Sequence, residues 1–248
     1  MKKLLPITLV ILTILFSCKK ETKKPAVTVP VVFTATTYQT LSAYDDSGKP
    51  LNLETADVIS ANFLSFVHTT LPEHANLNNA HPELLSSSAI GDIKITQPTE
   101  LHMTFLSEGT IYKNAVGFYT YPTNSPPATA ADIKTITYIF PNTGGGTTLK
   151  AGDKVNFGTF QAGTSVGFVL MKDSWKPDTK TLSNDVVHFC SNDVLNPEVA
   201  ANLKKHAVLI EYASESKTIL GFEDMDRTDP NCDNDFNDAV FYVTKKLK

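Results

Sequence analysis

An acidic segment near the C-terminus holds the residues of this chain that are best suited to chemistry. Residues 221–238 read GFEDMDRTDPNCDNDFND. The carboxylates of this acidic segment are Glu223, Asp224, Asp226, Asp229, Asp233, Asp235 and Asp238. Three asparagines add amide oxygens, and Arg227 is the only cationic side chain within the segment. A fold that brings so many carboxylates together creates strong repulsion unless a cation neutralises them.

The donor atoms of the acidic segment favour calcium. Ca²⁺ takes about six to eight oxygen ligands in irregular geometry, and carboxylate, amide and backbone oxygens in a loop supply them. Zn²⁺ prefers nitrogen and sulfur donors, and the segment contains no histidine. Mg²⁺ requires stricter octahedral geometry and keeps its waters, so it is the second choice. We therefore predict a Ca²⁺ site.

The spacing of the donors differs from that of an EF-hand loop. Counted from Asp229, oxygen donors fall at positions 1, 3 and 5, as that motif requires. The sixth residue is then Asn234, where the motif needs glycine, and the twelfth is Val240, where it needs glutamate. Any calcium site here is therefore of another type.

The alternative for the acidic segment is a solvated loop, which is what most acidic runs are. Phe222, Met225 and Phe236 are interleaved with the carboxylates and favour burial. Buried aromatic side chains would draw the neighbouring carboxylates together, and this favours a metal site over a solvated loop.

Short strands must position the acidic segment. Runs rich in β-forming residues alternate with turn residues along the chain. The predicted strands are 101–106, 116–121, 133–140, 155–160, 165–171, 186–189, 207–212, 218–222 and 239–244. The strand 218–222 enters the acidic segment and the strand 239–244 leaves it. This pattern predicts a mainly β, single-domain β-sandwich or jelly-roll-like fold with one or two short helices.

Two helices are predicted. Apolar residues recur at near-helical spacing over 57–71, and the helix ends before Pro72. A second, short helix is predicted over 196–205, with Pro197 in its first turn. The polar stretch 73–88 is predicted to be a long loop, and the glycines 144–146 are predicted to form a flexible loop.

The N-terminus predicts export and lipidation. Two lysines precede an apolar run, residues 4–16, that is too short to span a bilayer. Residues 15–18, Leu-Phe-Ser-Cys, resemble the lipobox of bacterial lipoproteins, in the form common in Bacteroidetes, which implies cleavage before Cys18 and acylation of Cys18. We predict a lipoprotein signal peptide at 1–17, a lipidated tether at 18–32 and a β-sandwich domain at 33–248. The alternative is an ordinary signal peptide, with Cys18 a bystander.

The overall composition allows one sizeable hydrophobic core and argues against nucleic acid as a partner. The chain is 42% hydrophobic and carries a net charge of −4. No basic patch follows the tether, which argues against a nucleic-acid partner. Beyond Cys18 the only cysteines are Cys190 and Cys232. In an exported protein they either form a disulfide or remain two unpaired thiols, and spacing does not decide between these.

The acidic segment resembles the LruC-type family of bacterial envelope lipoproteins, with their C-terminal calcium-associated domain of unknown function. Residues 221–224 (GFED) and 233–238 (DNDFND) match its signature, and the two cysteines do not belong to that pattern. Weaker landmarks lie at 71–73 (LPE), 104–109 (TFLSEG), 112–114 (YKN), 117–122 (GFYTYP) and 195–198 (LNPE). The resemblance implies that the metal ligands or their supports are Glu223, Asp224, Asp233, Asp235, Asn237 and Asp238. Asp226, in the variable turn, is added to this predicted set.

Three hypotheses for function follow. The first is a non-catalytic, Ca²⁺-binding envelope lipoprotein that binds a glycan or another envelope protein, with Trp175, in a polar loop, as an exposed contact. The second is a hydrolase acting on glycans, since paired carboxylates can serve as acid and base or hold metals. The third is a structural protein in which calcium is only a stabiliser.

The sequence favours the first hypothesis over catalysis. The carboxylates lie in one local segment, and no HExxH motif or Ser-His-Asp order appears. The resembled family has no established enzymatic activity, so no catalytic residue is predicted. Lipidation implies anchoring to the outer membrane, and the lysines after Cys18, without acidic neighbours, favour the periplasmic face over the cell surface.

Overall fold

The structure is a computed structural model, and it describes residues 28–248. The predicted signal peptide, Cys18 and the first part of the predicted tether lie outside the described residues. Within residues 28–248, no helix has the length and apolarity needed to cross a bilayer.

The described residues form a mainly β fold, as predicted. The strands are β1 (Thr37–Thr40), β2 (Ile93–Lys94), β3 (Thr99–Glu108), β4 (Ala115–Pro122), β5 (Thr135–Phe140), β6 (Lys154–Phe160), β7 (Thr164–Met171), β8 (Trp175–Lys176), β9 (Thr181–Leu182), β10 (His188–Cys190), β11 (Ala207–Tyr212), β12 (Lys217–Phe222) and β13 (Ala239–Leu247). The α-helices are α1 (Ala61–Thr70) and α2 (Leu77–Ala80). Short 3₁₀-helices lie at Pro82–Leu85, Ala130–Asp132, Asp193–Leu195, Ala201–Leu203 and Ala213–Glu215.

Two sheets pack face to face. One has the strand order β1-β5-β4-β7-β10, with β2 also paired to β7, and the other has the order β11-β12-β13-β3-β6. Side chains from the inner faces of both sheets form the main core, among them Phe118 and Phe168 from the first sheet and Phe105 and Phe241 from the second. Burial of such apolar surface contributes about 25 cal/mol per Å². The strand β13 lies between β12 and β3, so the acidic segment leaves and re-enters the middle of its sheet.

A second apolar cluster covers the outer face of the β11-β12-β13-β3-β6 sheet. Phe63 and Val67 of α1 pack there against Ile219 and Tyr242, and Phe236 of the acidic segment joins the same cluster. The α1 helix begins at residue 61 rather than 57, because the Ser60 side chain accepts a hydrogen bond from the backbone N–H of Phe63 and caps the helix.

Two sequence predictions about the connecting segments were wrong. The predicted helix over 196–205 is absent, and only a 3₁₀ turn at Ala201–Leu203 forms. The Asn196 side chain instead bonds the backbone N–H and carbonyl of Cys190, which holds its own backbone extended. The predicted loop 73–88 contains α2, whose start is capped by the Asn76 side chain, and a 3₁₀-helix.

The part of the predicted tether that the structure describes lies against the domain. Thr28 forms an isolated antiparallel bridge with Glu198, and the backbone N–H of Val29 donates to the carbonyl of Pro197 at 2.8 Å. Val31 and Phe33 pack on the cluster outside the first sheet. Residues 28–33 therefore contact the domain, within the range that the sequence assigns to the tether and the start of the domain.

Candidate metal centre

Two paired strands hold the ends of the acidic segment. Phe222 at the end of β12 faces Ala239 at the start of β13, and the backbone N–H of Asp238 donates to the Phe222 carbonyl at 3.1 Å. Phe222 points into the main core and Phe236 into the outer cluster, so the segment is anchored on both faces of the sheet. The carboxylates between these aromatic anchors are therefore drawn inward.

Two residues with left-handed backbone conformation flank Asp235. Asn234 and Phe236 have φ angles of 60° and 59°. This conformation is unfavourable for a bulky residue such as Phe236. The buried Phe236 ring holds it there, with the Arg227 guanidinium 5.2 Å from the ring centroid. Gly221 lies so close to the segment that an added Cβ would be 2.4 Å from the Phe236 carbonyl oxygen.

An inner group of carboxylates comprises Glu223, Asp224 and Asp238. Each offers an oxygen within 4.8 Å of the others, and Glu223 and Asp224 are fully buried. Asp224 Oδ2 accepts a hydrogen bond from Asn114 Nδ2 at 2.6 Å, and Asp238 Oδ2 accepts one from the Asp224 backbone N–H at 2.7 Å. The remaining oxygens Glu223 Oε2 and Asp224 Oδ1 accept no hydrogen bond. Two buried carboxylate oxygens are thus left for another ligand.

An outer group comprises Glu223, Asp233 and Asp235, with oxygens again within 4.8 Å of one another. Asp235 accepts hydrogen bonds from the backbone N–H groups of His74 at 2.8 Å and Asn237 at 3.2 Å. Glu73 and His74 form a third group with Asp235 at the solvent edge. The outer group is therefore more open than the inner one.

The ionised forms of the buried carboxylates in the two groups are unfavourable unless a positive charge lies nearby. Burial raises the pKa of Glu223, Asp224 and Asp235. Burial, with the added repulsion of Asp224 and Glu223, raises the pKa of Asp238 to about 10. Without a cation these groups favour their protonated forms, since ionised carboxylates in close contact repel one another.

No lysine or arginine within residues 28–248 forms an ion pair with Glu223, Asp224, Asp235 or Asp238. Arg227 is buried, but its donors go to uncharged acceptors. Its Nε donates to Asn234 Oδ1 at 2.7 Å, and its Nη1 donates to the Lys205 carbonyl at 3.0 Å. Arg227 shapes the segment and leaves its inner carboxylates without a direct counter-charge.

The structure brings together most, but not all, of the predicted ligands. Glu223, Asp224, Asp233, Asp235 and Asp238 all belong to the inner or outer group. Two predicted ligands lie elsewhere. The Asp226 carboxylate accepts a hydrogen bond from the Thr228 backbone N–H at 2.8 Å, and the Asn237 side chain lies against Gly109. Local turn geometry therefore uses Asp226, and the Asn237 amide oxygen lies near the solvent edge, where a Cβ at Gly109 would be 3.2 Å from it and 3.7 Å from Glu73 Oε2.

Three residues of the site were missed because they are distant in sequence. Asn114 bonds Asp224, and Glu73 and His74 line the solvent edge. The landmarks at 71–73 and 112–114 already contained two of them. The glycines 144–146 lie in a loop, as predicted, and two of them, Gly144 and Gly145, have close neighbours. They pack on the Ile111–Tyr112 backbone, where a Cβ at Gly144 would be 2.0 Å from the Tyr112 carbonyl oxygen.

The predicted ligand contact Trp175 is corrected by the structure. Its side chain is 2% exposed and packs edge-on against Tyr44, with ring centroids 5.5 Å apart. Gly48, at φ +80°, approaches the indole so closely that a Cβ there would be 3.1 Å from it. The polar residues around Trp175 form a short β8–β9 hairpin, while the indole itself fills a gap beneath the 43–50 turn.

Cys190 and Cys232 are two unpaired thiols in this structure, so the disulfide alternative is not realised. Cys190 is buried in the cluster outside the first sheet, and Cys232 lies beside Glu223 in the acidic segment. Each thiol belongs to a different packing unit. Burial raises the pKa of both thiols far above the usual range.

One part of the chain, which includes the acidic segment, matches a known family model. Residues 160–246 match the family model described as Domain of unknown function (DUF4114). This stretch covers β7 to β13 and includes the whole acidic segment. Comparisons with curated proteins and with solved structures found no match. The C-terminal part of this chain is therefore similar to a domain of unknown function, and the wider LruC-type membership remains a prediction.

Proposed function

We propose that this chain is a non-catalytic, calcium-binding β-sandwich protein of the bacterial envelope, anchored to the outer membrane through Cys18. One observation carries the proposal: Glu223 Oε2 and Asp224 Oδ1 are buried without a hydrogen-bond partner, and both residues belong to the inner carboxylate group. A buried, unpaired carboxylate costs several kcal/mol unless it is protonated or bound to a cation. A divalent cation bound by these oxygens removes that cost at neutral pH.

The donor set supports calcium as the cation. The inner and outer groups consist of carboxylates, with backbone and amide oxygens nearby, and these are hard donors. Cys232 is in neither group, and His74 joins only the exposed third group. The donors come from an irregular loop between two strands, which suits the variable coordination of Ca²⁺ better than the octahedron of Mg²⁺.

Burial supports a binding role over a catalytic one. A hydrolase needs its acid and base exposed to the substrate. Glu223 and Asp224 are 0% and 1% exposed and are enclosed by the protein. Because Trp175 is buried, it is not available to a glycan or envelope partner. Such a partner would instead contact the solvent edge of the site, where Glu73 and His74 are exposed.

The test is thermal melting of the chain from residue 19 onward, stripped with chelator and then titrated with calcium. Free calcium at about 100 times Kd should add about 2.7 kcal/mol of stability, which corresponds to a rise in Tm of roughly 5–10 °C. Asp235→Asn should abolish most of the rise. Asp229→Asn is the matched control, because Asp229 lies in the same segment but belongs to neither group. An unchanged Tm in the wild-type chain would refute the proposal.

A further inference from the structure

The inner and outer carboxylate groups share one residue. Glu223 belongs with Asp224 and Asp238 on one side and with Asp233 and Asp235 on the other, and within each group the oxygens lie within 4.8 Å. Asp224 and Asp238 are not grouped with Asp233 and Asp235. Apart from the exposed third group with Glu73 and His74, the described residues therefore offer two neighbouring cation positions with Glu223 between them.

The charge of the inner and outer groups favours more than one ion. The two groups contain five carboxylates, of which Glu223, Asp224 and Asp235 are at most 2% exposed. One divalent ion would leave three negative charges in a largely buried site, whereas two ions leave one. Uncompensated charge is costly where water is excluded, so the arrangement favours double occupancy.

The two positions differ in their access to water. The inner position is closed by Asn114, which donates to Asp224, and by the buried backbone of the segment. The outer position is bordered by Asp233, with 39% of its side chain exposed, and by His74, with 77% exposed. An ion in the outer position retains more bound water and exchanges faster than one in the inner position.

We propose that the acidic segment binds two calcium ions bridged by Glu223. Asp224 and Asp238 hold the inner, tightly bound ion, and Asp233 and Asp235 hold the outer, weaker and more hydrated ion. This proposal rests on the proposed calcium-binding function and adds its stoichiometry and the assignment of each ligand.

Calorimetric titration of the chelator-stripped chain from residue 19 onward, with calcium alone, tests the stoichiometry. The wild-type chain should bind two ions with separable affinities. Asp233→Asn changes a partly exposed residue at the rim, so the fold is expected to survive. It should weaken only the second ion, by about tenfold or more, and leave the tight ion in place. Asp229→Asn is the charge-matched control and should retain both ions.

Terbium luminescence provides a second readout. Lifetimes measured in H₂O and D₂O count the waters on bound Tb³⁺, which replaces Ca²⁺. The first ion bound should carry fewer waters than the second, and Asp233→Asn should remove the more hydrated population. Binding of a single ion by both the wild type and Asp233→Asn would overturn the two-ion proposal but leave calcium binding intact. Two ions that are unaffected by Asp233→Asn would overturn the ligand assignment, and no binding at all would overturn both proposals.

Discussion

His206 Nδ1 donates a hydrogen bond to the backbone carbonyl of Glu223 at 3.0 Å. The ring is fully buried and stacks on Phe189, with centroids 3.9 Å apart. Its other nitrogen, Nε2, lies 2.8 Å from Glu198 Oε1, and that carboxylate is also fully buried. His206 thus ties the first carboxylate of the candidate metal centre to the segment that pairs with Thr28, a residue of the predicted tether.

Replacement of His206 should weaken both the fold and the proposed calcium site. His206→Ala leaves Glu198 buried without its partner and removes the imidazole donor from the Glu223 carbonyl, so the free energy of unfolding should fall by about 3–5 kcal/mol. Urea denaturation with and without calcium measures this loss, and calorimetry measures the affinity. His68→Ala is the matched control because His68 is exposed on α1, and it should change stability by less than about 0.5 kcal/mol. Equal effects of the two substitutions would contradict the positioning role of His206.

Gly221 is expected to tolerate no side chain. In Gly221→Ala the new Cβ would lie 2.4 Å from the Phe236 carbonyl oxygen and 2.8 Å from Leu71 Cδ1, so the acidic segment must move. We expect a loss of at least about 2–3 kcal/mol and weaker calcium binding. Gly146→Ala is the control, since Gly146 has open space around it and only its left-handed backbone (φ +82°) is strained. That variant should lose about 1 kcal/mol and bind calcium normally. Chemical denaturation measures the free energy of unfolding of both variants. A smaller loss for Gly221→Ala than for Gly146→Ala would contradict the close approach.

The calcium-free protein should lose stability as the pH rises. Glu223, Asp224, Asp235 and Asp238 have folded pKa values above the ordinary values of 3.8 for Asp and 4.5 for Glu. A group with a raised folded pKa contributes stability that is complete below its unfolded pKa and is lost as the pH rises through its folded pKa. In chelator, Tm should therefore fall from about pH 5 upward through neutral pH. Calcium replaces the protons, so the rise in Tm on adding calcium should grow with pH, and parallel Tm curves with and without calcium would refute this linkage.

The two thiols should be present and unreactive in the native protein. Cys190 is 0% and Cys232 8% exposed, and their raised pKa values keep them protonated. A thiol reagent should label neither cysteine in the calcium-loaded protein and both after denaturation. Because Cys232 lies beside Glu223, removal of calcium should accelerate its labelling at least several-fold and leave Cys190 protected, with Cys232→Ser identifying the site. Mass spectrometry that found a Cys190–Cys232 disulfide in exported protein would contradict the structure.

The longer strands were predictable because each carries its own signal. The alternation of Leu101, Met103 and Phe105, all buried in β3, marks one face of a strand without reference to any other element. The short strands β1 and β8 carry no such pattern and form only through their partners. The predicted helix at 196–205 failed because the Asn196 side chain satisfies the Cys190 backbone, which no local rule anticipates.

The sequence by itself determined that the carboxylates of 223–238 lie in one segment between two strands, and that oxygen donors suit calcium. Only the tertiary structure decided which of them converge. Glu223, Asp224 and Asp238 meet because β12 and β13 are paired, whereas Asp226 caps a turn. Asn114 and His74 reach the centre from distant loops, and Trp175 is buried although its neighbours are polar. Spacing along the chain fixes composition and local conformation, while burial and convergence depend on contacts between residues far apart in sequence.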